Sequence, residues 1–224
     1  MESTQSFESL RKRPRNAAVK RLGLLDALLE RLATRPLPAI TVRELCDEVG
    51  MVEQTFFNTF GGKPAVLIFY VMLWSIEMQW RMERAVSAEQ ALRLVFEESA
   101  ERMQGTRWLM PEIIIHQIRA HAEELPPCAP PTLADKLLRF RDMPGADALE
   151  PLPIQHLLGN GVRRAIDGGE LPSETDQELL TRLLCGLFFG AAASSPEPAV
   201  VAEILVRGFD ALWLANSQTK ETTR

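Results

Sequence analysis

An all-α protein is predicted by three observations. Apolar residues recur at three- and four-residue spacings through almost every segment, the signature of one face of a 3.6-residue helix. No sustained alternation of apolar and polar residues appears, so no strand is predicted. Between the periodic segments stand capping pairs, glycines and prolines, residues that start or stop helices.

The elements follow in order. Val19, Leu22, Leu25, Leu28, Leu29 and Leu32 mark an amphipathic helix from about Pro14 to Thr34, ended by Pro36 and Pro38, which impose an extended connection. Thr41 and Glu44 have the spacing of a capping box, in which hydroxyl and carboxylate each take an orphan backbone amide. Val42, Leu45, Cys46 and Val49 then form one stripe on a two-turn helix stopped by Gly50. A second short helix fits Val52 to Phe60, backed by Phe56, Phe57 and Phe60 and broken by Gly61-Gly62. Lys63-Pro64 opens a long helix to about Arg84, with proline at a tolerated first-turn position. Further helices are predicted at Ala88 to Gln104, Met110 to Ala122, from Thr132, at Ile154 to Asp167, Thr175 to Ala193 and Pro198 to Ala215, nine or ten in all.

The composition is that of a folded chain: 224 residues, 46% hydrophobic, net charge -5. The charge is uneven. Residues up to 64 hold ten basic and eight acidic side chains, leaving fifteen basic against twenty-two acidic beyond, and six of the basic ones fall between Arg11 and Arg21. A basic head on an acidic body suits a local polyanion contact or a merely solvated tail, and charge alone does not choose. The longest apolar run, Pro64 to Trp74, falls short of the roughly 18 residues a membrane span needs. No secretory signal is visible, and Cys46, Cys128 and Cys185 are too dispersed for a disulfide framework, so a cytoplasmic protein without membrane association is expected.

Catalytic chemistry finds no residues to rest on. Glu112 and His116 share a helix face by spacing, but a zinc site wants three or four ligands and His121 falls off that face. Gly159-Asn160-Gly161 is too short for a phosphate loop and follows no strand. No enzyme, metal or cofactor is expected.

Thr41 to Phe60 has the layout of a helix-turn-helix, whose second helix enters a DNA major groove. Glu53, Gln54, Thr55, Asn58 and Thr59 supply donors and acceptors on its outward face. The run from Ile40 to Lys63 resembles the DNA-binding domain of TetR-family transcriptional regulators, matching at Thr41, Leu45, Val49-Gly50, Thr55-Phe56-Phe57, Phe60, Gly62-Lys63 and Leu67. The specific resemblance covers about residues 15 to 70. An echo, Ala165 to Pro172, is similar to the turn before the family's penultimate core helix. The sequence departs from the pattern at Val52, where a capping Ser is usual, at Phe57, which lacks the hydroxyl of a frequent Tyr, and at Thr59. No Lys or Arg lies between Arg43 and Lys63.

The resemblance implies an N-terminal three-helix DNA-binding domain with a helix-turn-helix, followed by a larger helical ligand-binding and dimerisation domain. The expected bounds are a flexible basic arm at 1–14, the DNA-binding domain at 15–64 and the effector and dimer domain at 65–224. Carried over by position, Thr41 and Arg43 start the backbone-facing helix. Gln54, Thr55 and Asn58 read base edges, and Thr59 adds to that face. Glu53 faces a base edge or water, Lys63 holds a phosphate, and Arg13 and Arg15 belong to the arm.

For the larger part the family implies a small-molecule effector and a twofold homodimer. Met78, Met82, Met103, Trp108, Ile114, Ile118 and Phe140 offer an apolar pocket with His116 or Arg119 as polar anchor, and equally suit ordinary core. Leu183, Leu187, Gly190, Ile204, Leu205, Gly208, Phe209 and Leu212 on the last two helices suit a dimer interface or the closing of the monomer core. The expected function is a ligand-responsive regulator, a repressor released from a palindromic operator. The alternative is a helical interaction protein of the same fold without sequence-specific DNA binding.

Overall fold

The computed structural model describes residues 6–122 and 129–217, with the side chains of 117, 118 and 120–122 outside the description. Among the described residues there are ten α-helices and no strand. They form two compact units, each discontinuous in sequence: Met1–Glu77 with Glu112–Pro151, and Met78–Pro111 with Leu152–Arg224. No single helix among the described residues is long and apolar enough to cross a membrane.

The first unit holds α1 (Lys12–Leu32), α2 (Val42–Val49), α3 (Glu53–Phe60), most of α4 (Lys63–Glu83), most of α6 (Leu109–Ala122) and α7 (Leu133–Arg139). The leucine stripe of α1 is its spine, with Leu24, Leu25, Leu28 and Leu32 fully buried beside Ile40, Leu45, Phe56, Leu67 and Phe69. α1 packs on α2 and on α7. Thr132 and Asp135 form a second capping box that starts α7.

α7 also carries a polar tie to α1. The Arg21 guanidinium donates to Asp135 Oδ2 at 2.8 Å, with both side chains buried. Its flat face lies 4.4 Å from the Phe69 ring centroid and 5.6 Å from that of Phe60. Asp135 Oδ2 further accepts from the Thr132 amide and hydroxyl, while Arg21 Nε and Asp135 Oδ1 are buried without a partner among the described residues. Beside it Lys136, also buried, donates to the Leu149 carbonyl and to Glu150.

Two local expectations change here. Leu37–Ala39 forms a 3₁₀ turn rather than an extended link. The arm predicted at 1–14 is not one over its described part: Phe7–Ser9 is a 3₁₀ turn and α1 begins at Lys12. The reason is Phe7, which is buried against Ala18, Ala134 and Leu137 and flanked by Arg15 and Arg141.

The second unit holds the end of α4, α5 (Ala88–Gly105), the start of α6, α8 (Ile154–Asp167), α9 (Gln177–Ser194) and α10 (Pro198–Ser217). Its core is aromatic: Phe96 meets Phe188 and Phe209 at 6.1 and 5.2 Å, and Phe209 stacks on Trp213. At Gly161 a Cβ would come within 2.5 Å of Leu92, so only glycine lets α8 lie this close to α5. The turn Gly168-Gly169 delivers Glu170, whose two carboxylate oxygens accept from the Ala88 and Glu89 amides and so cap α5.

Candidate nucleic-acid interface

The helix-turn-helix lies wholly in the first unit and is set by its caps. Thr41 Oγ1 accepts from the Glu44 amide at 3.2 Å, and Glu44 Oε1 accepts from the Thr41 amide at 2.7 Å. That amide, reinforced by Arg35, holds the Glu44 carboxyl below its usual range. Gly50 closes α2 at φ 60, a conformation that penalises any side chain, and its carbonyl accepts from Lys20 at 2.8 Å. Val52 precedes α3 as an N-cap with no side-chain hydrogen bond and is 69% exposed.

On α3, Glu53, Gln54, Thr55 and Asn58 are exposed together, as the sequence predicts for an outward face. Gln54 Nε2 donates to Asn58 Oδ1 at 3.1 Å, joining the two amides one turn apart. Thr59 is half-buried and returns its hydroxyl to the Thr55 carbonyl, so it holds the helix rather than facing outward. Phe56 and Phe60 are buried, but Phe57 is 47% exposed, against the expectation that all three back the helix. Its ring stands edge-on to Phe56 at 5.4 Å. A three-residue aromatic run cannot bury both helix faces, and Phe57 falls on the outer side.

The basic residues divide. Arg11, Lys12 and Arg13 are exposed at the start of α1 and make no ion pair among the described residues. Cations there oppose the helix dipole, so they raise the local positive potential at some cost in stability. Arg43 is exposed, with only a loose 4.0 Å pairing to Asp47. Arg15 is instead tied to Glu8 at 2.6 Å. Lys63, expected on a phosphate, donates to the carbonyls of Leu37 and Ile40, and burial pushes its ammonium below the usual lysine range. Glu112 on α6 accepts from the Leu37 amide at 2.9 Å, so the 3₁₀ turn before α2 is gripped by buried Glu112 and half-buried Lys63.

The pocket set read from the sequence does not assemble in one unit. Met78, Met82, Met103 and Trp108 belong to the second unit; Ile114, His116, Arg119 and Phe140 belong to the first. The side chain of Ile118 lies outside the described residues. Met78 and Met82 are core, and Phe140 ends α7. Burial, with Arg119 beside it, pushes the His116 imidazole below its usual pKa. A cavity of about 340 Å³ lies elsewhere in the second unit, between the α5–α6 corner and the α9–α10 turn. Met103, Arg107, Met110, Ser194, Ser195 and Val201 line it, and Met103 alone comes from the expected set.

The interface set also divides. Leu205 and Phe209 are fully buried in the monomer. Gly208 serves the monomer too, because a Cβ there would meet Leu187 at 2.5 Å. Leu212 and Ile204 are half-buried, while Leu183 and Gly190 are exposed, and a Cβ at Gly190 would meet nothing. Leu179 on α9 extends the exposed apolar surface, together with Val200 and Leu214 on α10, two residues the sequence pattern does not single out.

No family model matches the sequence, and no curated protein matches it. Solved structures do. FadR of Thermus thermophilus, a TetR-family transcriptional repressor in complex with lauroyl-CoA, is 20% identical with a TM-score of 0.61 over 91% of this chain and 98% of that one. A TetR transcription regulator from Haloarcula marismortui is 18% identical with a TM-score of 0.59, covering 89% and 98%. The TetR-family regulator CifR, complexed with operator DNA, is 16% identical with a TM-score of 0.53, covering 87% and 95%. The chain shares the fold of TetR-family regulators.

Proposed function

We propose that this chain is a ligand-responsive, DNA-binding transcriptional regulator, a cytoplasmic homodimeric repressor released from a palindromic operator by a small, largely apolar effector. The observation that carries the reading is the α2–α3 pair: a doubly capped first helix, a left-handed Gly50 turn, and a second helix exposing Glu53, Gln54, Thr55 and Asn58 on one face. In a twofold dimer two such helices engage half-sites about one helical turn, roughly 34–36 Å, apart. The exposed leucines and open glycine of α9, with Val200 and Leu214 of α10, supply apolar surface for the partner copy.

The effector is proposed to occupy the cavity of the second unit. The Thermus thermophilus repressor, solved with an acyl thioester, and CifR, solved with operator DNA, support the two classes of partner. α4 and α6 each contribute residues to both units, and a ligand-favoured form of the second unit is proposed to shift α4. A tenfold loss of operator affinity needs a differential effector affinity of only about 1.4 kcal/mol.

One observation favours a second reading, an interaction protein of this fold without sequence-specific DNA binding. Lys20, Lys63 and Arg15 spend their charge inside the first unit, and α3 carries no cation. Titration of the purified protein with DNA from its own upstream region, against scrambled DNA over a salt series, separates the two. The regulator binds its site selectively with two subunits per palindrome, and Gln54→Ala with Asn58→Ala abolishes selectivity while leaving the dimer intact. Equal affinity for both DNAs, lost at moderate salt, establishes the interaction-protein reading instead.

A further inference from the structure

The exposed face of α3 has a chemistry that bears on which bases it reads, given the regulator reading above. It carries no Arg, Lys or His. Guanine presents two acceptors, O6 and N7, in the major groove, and the commonest specific contact to it is a bidentate Arg or Lys. This helix has neither. What it holds out is a pair of amides and an aromatic ring.

Phe57 is the largest exposed apolar side chain on the helix, and its edge-on packing against buried Phe56 holds the ring at the outer side. Without a hydroxyl it offers a phosphate nothing. Among the base edges of the major groove the one apolar group is the C5 methyl of thymine. Gln54 has given one Nε2 hydrogen to Asn58 Oδ1. That bond leaves Gln54 its Oε1 acceptor and second Nε2 hydrogen and leaves Asn58 its Nδ2 donor; the Oε1 acceptor with the Nδ2 donor complements the N6 donor and N7 acceptor of adenine.

We infer that α3 reads A·T base pairs, with Phe57 covering a thymine methyl and the coupled Gln54–Asn58 amides reading adenine. The specificity of the helix then comes from apolar and amide contacts. Its salt-dependent affinity is left to Arg11, Lys12, Arg13 and Arg43, which carry no sequence information.

The test is selection of the full-length protein against a random duplex pool, followed by replacement of each selected thymine with deoxyuridine, which removes the C5 methyl alone. The expected result is half-sites with A·T pairs at their conserved core. One thymine per half-site should then show an affinity loss of about fourfold on losing its methyl, the worth of one buried methyl group. Phe57→Ala, an exposed position, should bind the thymine and deoxyuridine duplexes equally. Enrichment of G·C cores, or wild-type binding indifferent to every thymine methyl, overturns the inference while leaving the regulator reading in place. A pool from which no sequence is enriched overturns both.

Discussion

Inside the first unit, two long-range ties are polar and buried: Arg21 reaches Asp135 across 114 positions of sequence, and Glu112 reaches the Leu37 amide across 75. Inside the second, Phe96, Phe188, Phe209 and Trp213 make an aromatic stack, and the charged groups stay toward the rim, as in Arg93–Asp210 and the Glu170 cap of α5. Three short helices of the first unit set it apart, beside its 21-residue α1. α2, α3 and α7 have eight, eight and seven residues, against eighteen for α5 and α9 and twenty for α10. Helices of two turns bury too little apolar surface to fix themselves, so caps and directional bonds set their position. Long helices are positioned by packing, which tolerates small shifts. Under the proposed function, a part that presents side chains to a rigid lattice of bases is served by the first construction, and a part that accommodates a ligand by the second.

The contrast can be broken most forcefully at Asp135. Asp135→Ala leaves a buried guanidinium without its counter-charge and should cost roughly 3–5 kcal/mol. Hydrogen exchange should lose protection in α1 and α7 while α9 and α10 keep theirs. The double replacement Arg21→Met with Asp135→Leu should recover the part of the loss that comes from the unpaired charge, but not the part that comes from the α7 capping box. If the single variant opened both units together, the independence of the two interiors would be refuted.

Phe209→Leu tests the aromatic side. It should cost about 1–3 kcal/mol, seen as a lowered thermal midpoint and faster exchange in α5 and α10, with the caps of α2 unaffected. Thr41→Ala is smaller, about 1 kcal/mol, and confined to α2. The capping box also carries a pH signature. The folded pKa of Glu44 is depressed, so its contribution is complete above its unfolded pKa and is lost as pH falls through the folded value. Denaturation curves across the acid range should show that loss in the wild type and in Thr41→Ala, which keeps the backbone amide that Glu44 accepts from, but not in Glu44→Gln. Smallest is Val52→Ser, which supplies the missing cap of α3 and should raise stability by about 0.5 kcal/mol, measured by urea denaturation.

The sequence was most legible where structure is local. The Thr41–Glu44 box, the Gly50 stop and the bounds of α4 to α6 follow from neighbours within a turn or two, and the structure keeps them close to their predicted places. Phe7 and Leu37–Ala39 were misread because tertiary partners decide them: Ala134 and Leu137 for the first, Glu112 and Lys63 for the second. The same cause took Lys63 off the expected interface, since a cation near two carbonyl ends is drawn to them. The pocket residues scattered because apolar size says nothing about which unit a side chain joins. Phe57 was a matter of phase: three aromatics in five positions of an eight-residue helix outnumber one buried face.

The interleaved ownership of the chain has a consequence for biosynthesis. As the polypeptide leaves the ribosome, residues up to Glu77 emerge without α7, and so without Asp135 and the anchor for Phe7. The partner of Arg21 is supplied only after the whole of α5, a piece of the other unit, has been translated. The helices proposed to face DNA therefore gain this tie only after α7 has been made, and a gene fragment ending in α4 would encode α3 without the Asp135 partner of Arg21.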